Sequence, residues 1–202
     1  SGVEKIYSAG QSFAAIKSDG SVVSWGNTNV SGTDISSVSS QLTNVNEIYS
    51  TDYSYAALKN DGSVVTWGFD YVGNRLSNPG FDSSSVSSQL SSGVTQIFAT
   101  SMAFAALKDD GSVVTWGESY ESNNDSYEPI DSSSVSSQLS SGVQKIFSTS
   151  LAFAALKDDG SVVTWGGSAS GGDSSTVSSQ LSSGVKKIFS TNNAFTALKD
   201  DG

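Results

Sequence analysis

Carboxylates, hydroxyls and indoles are the side chains of this sequence that could do chemistry. Asp109-Asp110-Gly111 recurs with close copies, and a run from Glu118 to Asp131 is rich in acids. Such oxygens suit Ca²⁺, but the spacing matches no strict calcium-loop pattern. Asp-Gly between two apolar runs is the pattern of a hairpin with a type I′ turn. We therefore expect turns here, with no metal site and no cofactor, and leave weak calcium binding open.

The sequence contains 46 serines but no histidine and no cysteine. A serine nucleophile needs a neighbouring base, and Ser–His–Asp or Cys–His machinery cannot be assembled from these residues. Disulfides and Cys or His zinc sites are excluded for the same reason. A carboxylate pair for acid–base work needs one buried partner, whereas nearly every acid falls in a predicted turn. The sequence predicts no catalytic residues and a protein that is not an enzyme.

The charge balance limits the classes of molecule that the chain is expected to bind. Ten Lys and Arg against 20 Asp and Glu give a net charge of -10, which repels a phosphate backbone and argues against nucleic acid. No apolar run approaches the roughly 18 residues of a membrane span, and this segment carries no targeting signal. The serine-rich, cysteine-free, acidic composition is typical of secreted or cell-surface bacterial repeat proteins.

An internal repeat organises the chain. Aligned copies place Val3, Val45, Val94, Val143 and Val185 at spacings of 42, 49, 49 and 42 residues. We interpret residues 1–202 as one repeat domain, with units 1–42, 43–91, 92–140 and 141–182 and a partial unit 183–202. The two longer units have seven more residues than the shorter ones, and the extra residues follow a Trp-Gly pair. The near identity of the third and fourth units favours a segment of a longer array.

Each unit has the pattern of short strands. In the fourth unit, strands are predicted at 146–149, 152–157 and 161–165, followed by a polar loop. The preceding connector, Ser133 to Ser140, is predicted as two turns of helix or a 3₁₀ segment, with Asp131 as N-cap and Gly142 as the left-handed stop. Val163 and Trp165 share one strand face and Val162 the other, so both faces are apolar.

A small sheet with two apolar faces must stack between neighbours to bury them. The sequence therefore predicts an all-β, propeller-type repeat of about 4.4 blades, with three to four short antiparallel strands each. A closed ring and an open stack bury the same faces, and both remain open.

The strand pair joined by Asp-Gly resembles a known family. Residues Ala105 to Gly117 and their copies fit an "ALxxDGxVxxWG" core preceded by "SGVxxI", which resembles the regulator-of-chromosome-condensation repeat. Its bacterial branch, which includes a β-lactamase inhibitory propeller, is the most similar. The resemblance covers nearly the whole chain and implies a propeller, commonly seven-bladed, that acts by protein–protein contact.

The chain departs from that family at several positions. The family's histidine before "AL" is replaced by Phe or Tyr, and the "GQLG" stretch after Trp-Gly is absent. The aligned residues are Phe13, Tyr53 or Tyr55, Phe104, Phe153 and Phe195. Nucleotide exchange on a small GTPase, known from the eukaryotic member, has no matching residues here.

The long loops after Trp-Gly are the candidate binding surface. They differ completely between the second and third units while the rest of the repeat is nearly fixed, which is how binding surfaces are built on rigid scaffolds. The partner-binding candidates are Phe69, Tyr71, Arg75, Phe81, Tyr120, Glu121, Tyr127 and Glu128. The alternative is that these aromatics tuck over sheet edges and the acids are merely solvated. The four tryptophans recur at one position, which favours packing over sugar or base stacking.

Two functional hypotheses follow. The first is a non-enzymatic interaction or adhesive module that presents the loops after each Trp-Gly. The second is a self-assembling structural surface protein, in which another copy completes the partial unit through an edge that carries Phe195 and Leu198. One lysine recurs at a strand end in each unit, such as Lys108 and Lys157, and these five lysines are expected to keep the sheet edges soluble.

Overall fold

A computed structural model of the chain describes residues 2–27, 33–68, 83–121, 126–130 and 132–202, with side chains for all of these except 120, 121 and 126–129. The described residues form short antiparallel strands. The strands are β1 Val3–Ala9, β2 Ser12–Lys17, β3 Val22–Gly26, β4 Val45–Ser50, β5 Ser54–Lys59, β6 Val64–Gly68, β7 Val94–Ala99, β8 Ala103–Lys108, β9 Val113–Glu121, β10 Ser126–Pro129, β11 Val143–Ser148, β12 Ala152–Lys157, β13 Val162–Gly166, β14 Val185–Ser190 and β15 Phe195–Lys199.

Each repeat makes one sheet, in which the second strand lies between the first and the third. The first, second and fourth repeats have three strands, the third adds β10 beside β9, and β14 and β15 form a pair. In the fourth repeat Phe153 lies opposite Trp165 and Ala155 opposite Val163. The predicted all-β, propeller-type fold with three to four strands per complete unit is confirmed.

The predicted type I′ turn is wrong. Among the described non-glycine residues only Asn44 has a positive φ, whereas Asp159 would need one. The hairpin instead has a three-residue connection, in which Lys157 N donates to Ser161 O at 2.9 Å and Gly160 alone is left-handed, with φ 75°. A three-residue connection needs positive φ only at its last position. Asp159 Oδ1 accepts hydrogen bonds from Ser161 Oγ and N, which lower the pKa of its carboxyl group.

The connector contains a single 3₁₀ turn, which is the shorter of the two forms predicted for it. It spans Ser133–Val135 in the third repeat, after N-cap Ser132, with equivalents at Ser84–Val86 and Ser175–Val177. The predicted cap Asp131 lies outside the described residues. Gly142 is left-handed as predicted, with φ 75°, and Asn44 holds the same place in the second repeat with φ 55°. Asparagine is the residue that tolerates this conformation best after glycine.

The hydrophobic core lies between the sheets. At the boundary of the third and fourth repeats, Phe153, Val163 and Trp165 pack against Ala105 and Leu107. Val162, on the opposite face of β13, packs at the next boundary with Val185 and Ile188. The alternation predicted for β13 is therefore confirmed, and the fourth sheet uses both faces for packing.

Neighbouring sheets are closest at their first strands and diverge towards their third strands. The connector of each repeat fills the widening space beside the third strand of the next, and Leu139 is buried there. The strand-end lysines also tie repeats together: Lys108, Lys157 and Lys199 donate to the carbonyls of Gln89, Gln138 and Gln180 in the preceding connector, at 2.7–2.9 Å. The sequence predicts that these lysines keep the sheet edge soluble. The structure shows that they also form hydrogen bonds between repeats.

The row of repeats is open, because its two outer faces are not covered by each other. Ile6 on the first sheet is 61% exposed, and Leu198 on the last is 43% exposed. Phe195, which was predicted at the same edge, is half-buried. Among the described residues no helix is long and apolar enough to cross a membrane.

The buried ring pair is expected to carry more stability inside the row than at its end. Phe104 is fully buried and stacks on Trp116 with centroids 5.2 Å apart, whereas Phe13 stacks on Trp25 but is 44% exposed. Phe104→Ala should lower the free energy of unfolding by roughly 3–5 kcal/mol, and Phe13→Ala by clearly less. Urea unfolding of both variants measures this, and equal losses would contradict the burial-based account.

Candidate functional site

The loops after Trp-Gly and the turns between first and second strands lie at one edge of the sheets. The residue after Trp-Gly donates its backbone N–H to a carbonyl in the first turn of its own repeat. These bonds join Asn27 to Gln11 at 3.0 Å, Glu118 to Met102 at 3.0 Å and Gly167 to Leu151 at 2.8 Å. The loops of the first, third and fourth repeats therefore begin from the same anchored position.

The turns of successive repeats are linked to each other. Backbone N–H groups of Asp52, Ser101 and Ser150 donate to the carbonyls of Ser101, Ser150 and Asn192, each in the next repeat, at 2.8–3.0 Å. Within a turn, a threonine hydroxyl accepts from the start of the second strand, as Thr149 Oγ1 does from Ala152 N at 3.0 Å. The turns of the second to fifth repeats thus form a hydrogen-bonded row.

A polar groove of about 480 Å³ runs along this row. Serine, threonine and backbone groups from all five repeats line it, and Asp52 is the charged side chain among them. Such a lining can hydrogen-bond a ligand through hydroxyls and backbone groups. Among the described residues no three Asp or Glu side chains are grouped for a metal ion. Sequence reasoning missed this groove, although Thr51, Thr100, Thr149 and Thr191 recur at the repeat period.

The third repeat's insert is a β-ribbon rather than the predicted loop. Strand β9 continues past Trp-Gly to Glu121, and β10 returns beside it with Tyr127 opposite Tyr120 and Glu128 opposite Ser119. Tyrosine is enriched in strands, and the tyrosines at 120 and 127 favour the extension of the sheet here. Four predicted site residues, Tyr120, Glu121, Tyr127 and Glu128, therefore lie on the two arms of one hairpin.

The base of this ribbon is fixed in the protein. Glu118 and Ser119 are buried, although Glu118 was expected in a solvated loop. Ile130, directly after the returning strand, is buried in the core and donates its N–H to Gly117 O at 2.9 Å. Both strands of the ribbon are therefore attached to the scaffold at its base.

The remaining inserts differ. Phe69, Tyr71, Arg75 and Phe81 all lie in 69–82, outside the described residues, and stay a prediction. The fourth repeat's short loop is a 3₁₀ turn at Ser168–Ser170 whose carbonyl at Ser170 accepts from Thr149 Oγ1 at 2.9 Å. That loop is therefore hydrogen-bonded to the row of turns, whereas the third repeat's insert extends as a ribbon from the same edge.

The tryptophans pack and do not form a stacking platform for a ligand. Each ring stacks on the aromatic residue opposite it in the second strand, with centroids 5.2–5.6 Å apart. Tyr55, not Tyr53, is the partner in the second repeat. Trp67, Trp116 and Trp165 are buried, which leaves these three no free ring face for a sugar or base, whereas Trp25 on the first sheet is 43% exposed.

The first strands of repeats one and two carry an ionic cluster. Glu47 accepts from Lys5 Nζ at 2.6 Å and from Tyr7 Oη at 2.5 Å. Burial alone would raise the pKa of Glu47, but the bonds from Lys5 and Tyr7 lower it below its usual value. Burial and the same glutamate raise the pKa of Tyr7. The cluster joins two repeats by charge as well as by apolar packing.

Comparison with known proteins leaves the family open. No protein-family model and no curated protein matches the chain. It is similar to the CRINKLY WD40 ectodomain of the Arabidopsis thaliana receptor kinase ACR4, with 16% identity, a TM-score of 0.46 and coverage of 81% of this chain and 50% of that one.

Two structures of yeast RCC1 (Prp20) are also similar. One, bound to Kap60, has 13% identity and a TM-score of 0.48 over 81% of this chain and 43% of that one. The other, from Saccharomyces cerevisiae, has 12% identity and a TM-score of 0.48 over 98% of this chain and 50% of that one. The chain thus spans half or less of these relatives. The fold class rests on its own sheet topology, and membership of the condensation-regulator family stays a prediction.

Protonation of Glu47 is expected to weaken the tie between the first two repeats. Because the folded-state pKa is lowered, the stabilisation is complete above the usual value of 4.5 and disappears as the pH falls through the folded value. Glu47→Gln should cost about 0.2–1 kcal/mol at pH 7, since the pair is partly exposed, and nothing at low pH. Urea titrations at pH 7 and below pH 4 measure this, with Glu4→Gln on β1 as control. A pH-independent loss would contradict the ionic role.

Proposed function

We propose that the chain is a non-enzymatic interaction or adhesive module, which binds a protein partner through the loops after Trp-Gly. The observation that carries this proposal is the shared anchoring of those loops. Inserts of different length and sequence leave one edge of a repeated scaffold through the same backbone hydrogen bond. Binding proteins often combine a rigid framework with divergent loops in this way.

The insert chemistry indicates the kind of partner. Tyrosine supplies large contact area at low cost in conformational entropy, and the ribbon places Tyr120 and Tyr127 opposite each other. The same insert carries Glu121 and Glu128, and the chain has a net charge of -10. We therefore favour a partner with a basic patch, approached by electrostatic attraction. The second repeat's Phe69, Tyr71, Arg75 and Phe81 would extend this surface.

The setting proposed for this activity is the outside of a bacterial cell. The support is compositional: many serines, no cysteine, a strong acidic balance and a motif that resembles the bacterial branch of the condensation-regulator repeats. A polar, acidic scaffold of this kind stays soluble at a surface where redox conditions vary.

Shortening the third insert provides the test. The fourth repeat folds with seven fewer residues at this position, so the seven residues 121–127 can be deleted while the buried Glu118, Ser119 and Ile130 are kept. The immobilised chain should capture a partner from surface proteins of the cells that encode it, and the shortened variant should lose it. Tyr120→Ala with Tyr127→Ala should weaken capture by roughly 30-fold if the pair is a hot spot. Unchanged capture by correctly folded variants would contradict the proposal.

Self-association is the second candidate function, and the exposed outer faces favour it. Val3, Ile6, Phe13 and Trp25 on the first sheet match the residues that are buried on later sheets. Phe189 and Leu198 on the last sheet match the opposite face. Two copies in line would repeat an internal boundary and build a structural assembly.

Solution mass tests this alternative. We expect light scattering to show a mass above 20.8 kDa that rises with concentration, and Ile6→Asp to return the protein to monomer by charging the outer face. A monomer at every concentration would rule out the assembly and leave the loop-binding proposal untouched.

A further inference from the structure

The polar groove along the row of turns has the size of a small-ligand site. Its volume of about 480 Å³ falls within the range of roughly 300–1,000 Å³ that such sites occupy. Its middle is formed by the turns of the second, third and fourth repeats, each of which has a repeat on either side. We call this middle part the turn groove; its lining includes Ser50, Thr51, Asp52, Thr100, Ser101 and Ser150.

The backbone donors of the turn groove are already used. In the second repeat's turn, Thr51 N donates to Ser54 O and Asp52 N to Ser101 O, while the N–H groups of Tyr53 and Ser54 donate to Thr51 Oγ1, at 2.9–3.3 Å. The N–H groups of residues 100–103 are paired in the same way. These two turns therefore offer no backbone N–H to an anion, whereas their carbonyl oxygens can each accept a second hydrogen bond.

The charge of the turn groove is negative. Asp52 is exposed and lines the groove, and no Lys or Arg side chain is among the described residues of the lining. None of the ion pairs formed between described residues includes Asp52. The whole chain adds a net charge of -10. An acceptor-rich cleft with this potential attracts a cation.

The placement of the oxygens selects the kind of cation. Ca²⁺ gathers about six to eight oxygens around one point, whereas the turn groove spreads its oxygens over successive turns. Ser101 and Ser150 follow Asp52 at the repeat period, and Ala99 takes the place that a serine holds in the other repeats. An alkylammonium group offers three donors and no acceptor. A chain of such groups would meet the oxygens in turn and place a methylene stem against Ala99.

We propose that the turn groove binds a linear polyamine, with one ammonium group on the Asp52 carboxylate and the next ones on the hydroxyls of Ser101 and Ser150. A sugar fits less well, because its own oxygens need donors and no aromatic ring lines the groove among the described residues. The site is independent of the proposed loop surface, since none of the partner-binding candidates lines it and no protein partner is required.

Calorimetry with spermidine as the probe tests the proposal on the 202-residue chain. At about 0.15 M NaCl, exposed charges are screened beyond roughly 8 Å, so general attraction to an acidic protein is weak. We expect saturable binding of one spermidine per chain, with amide resonance shifts confined to residues 50–52, 99–101 and 148–150. Maltotriose should not bind. Absence of saturable spermidine binding, or binding of the sugar alone, would overturn the proposal.

Matched aspartate substitutions locate the site. Asp52→Asn introduces the side chain that the fifth repeat carries as Asn192, and should weaken spermidine binding by about tenfold. Asp109→Asn introduces the side chain that the second repeat carries as Asn60, and removes the same charge. Asp109 follows the far end of the six-residue strand β8, about 20 Å from the row of turns, so affinity should stay within about twofold. Equal losses in both variants would show general attraction to an acidic surface and would overturn the assignment.

Discussion

Each sheet of this protein is apolar on both faces, and no sheet can bury both alone. Phe153 and Trp165 face one neighbour while Val162 faces the other, so folding of one repeat depends on the next. The connector leucines and the lysine-to-carbonyl bonds complete the same boundaries. The boundaries repeat along the chain, and the inserts add only a few contacts to them, such as that of Ile130 in the core. Sequence change in the rest of the third insert is thereby largely separated from the stability of the scaffold.

The proposed loop surface depends on this scaffold. The inserts of the first, third and fourth repeats each begin at one backbone hydrogen bond to the first turn of their own repeat, so the specificity of the surface depends on the inserts themselves.

Sequence reasoning predicted short antiparallel strands, the two-faced packing and the packing role of the tryptophans, because these follow from an alternation that recurs in every unit. It failed where several local geometries fit the same residues. Asp-Gly is compatible with a two- or three-residue connection, and the third insert's Ser-Tyr-Glu pattern with a loop or a ribbon. The polar groove was missed because hydroxyls on separate turns come together only when the repeats stack. The open arrangement of the repeats could not be predicted, since a closed ring and an open stack bury the same residues between neighbouring sheets.

The hydrogen-bonded row of turns has a consequence for motion. Asp52, Ser101, Ser150 and Asn192 link the turns of the second to fifth repeats at the edge that carries the inserts, so displacement of one turn is resisted by the turns bonded to it. The third repeat, which carries the ribbon, is bonded through Ser101 to the turns on both sides. A support tied on both sides limits how far the ordering of the ribbon on binding spreads into the framework.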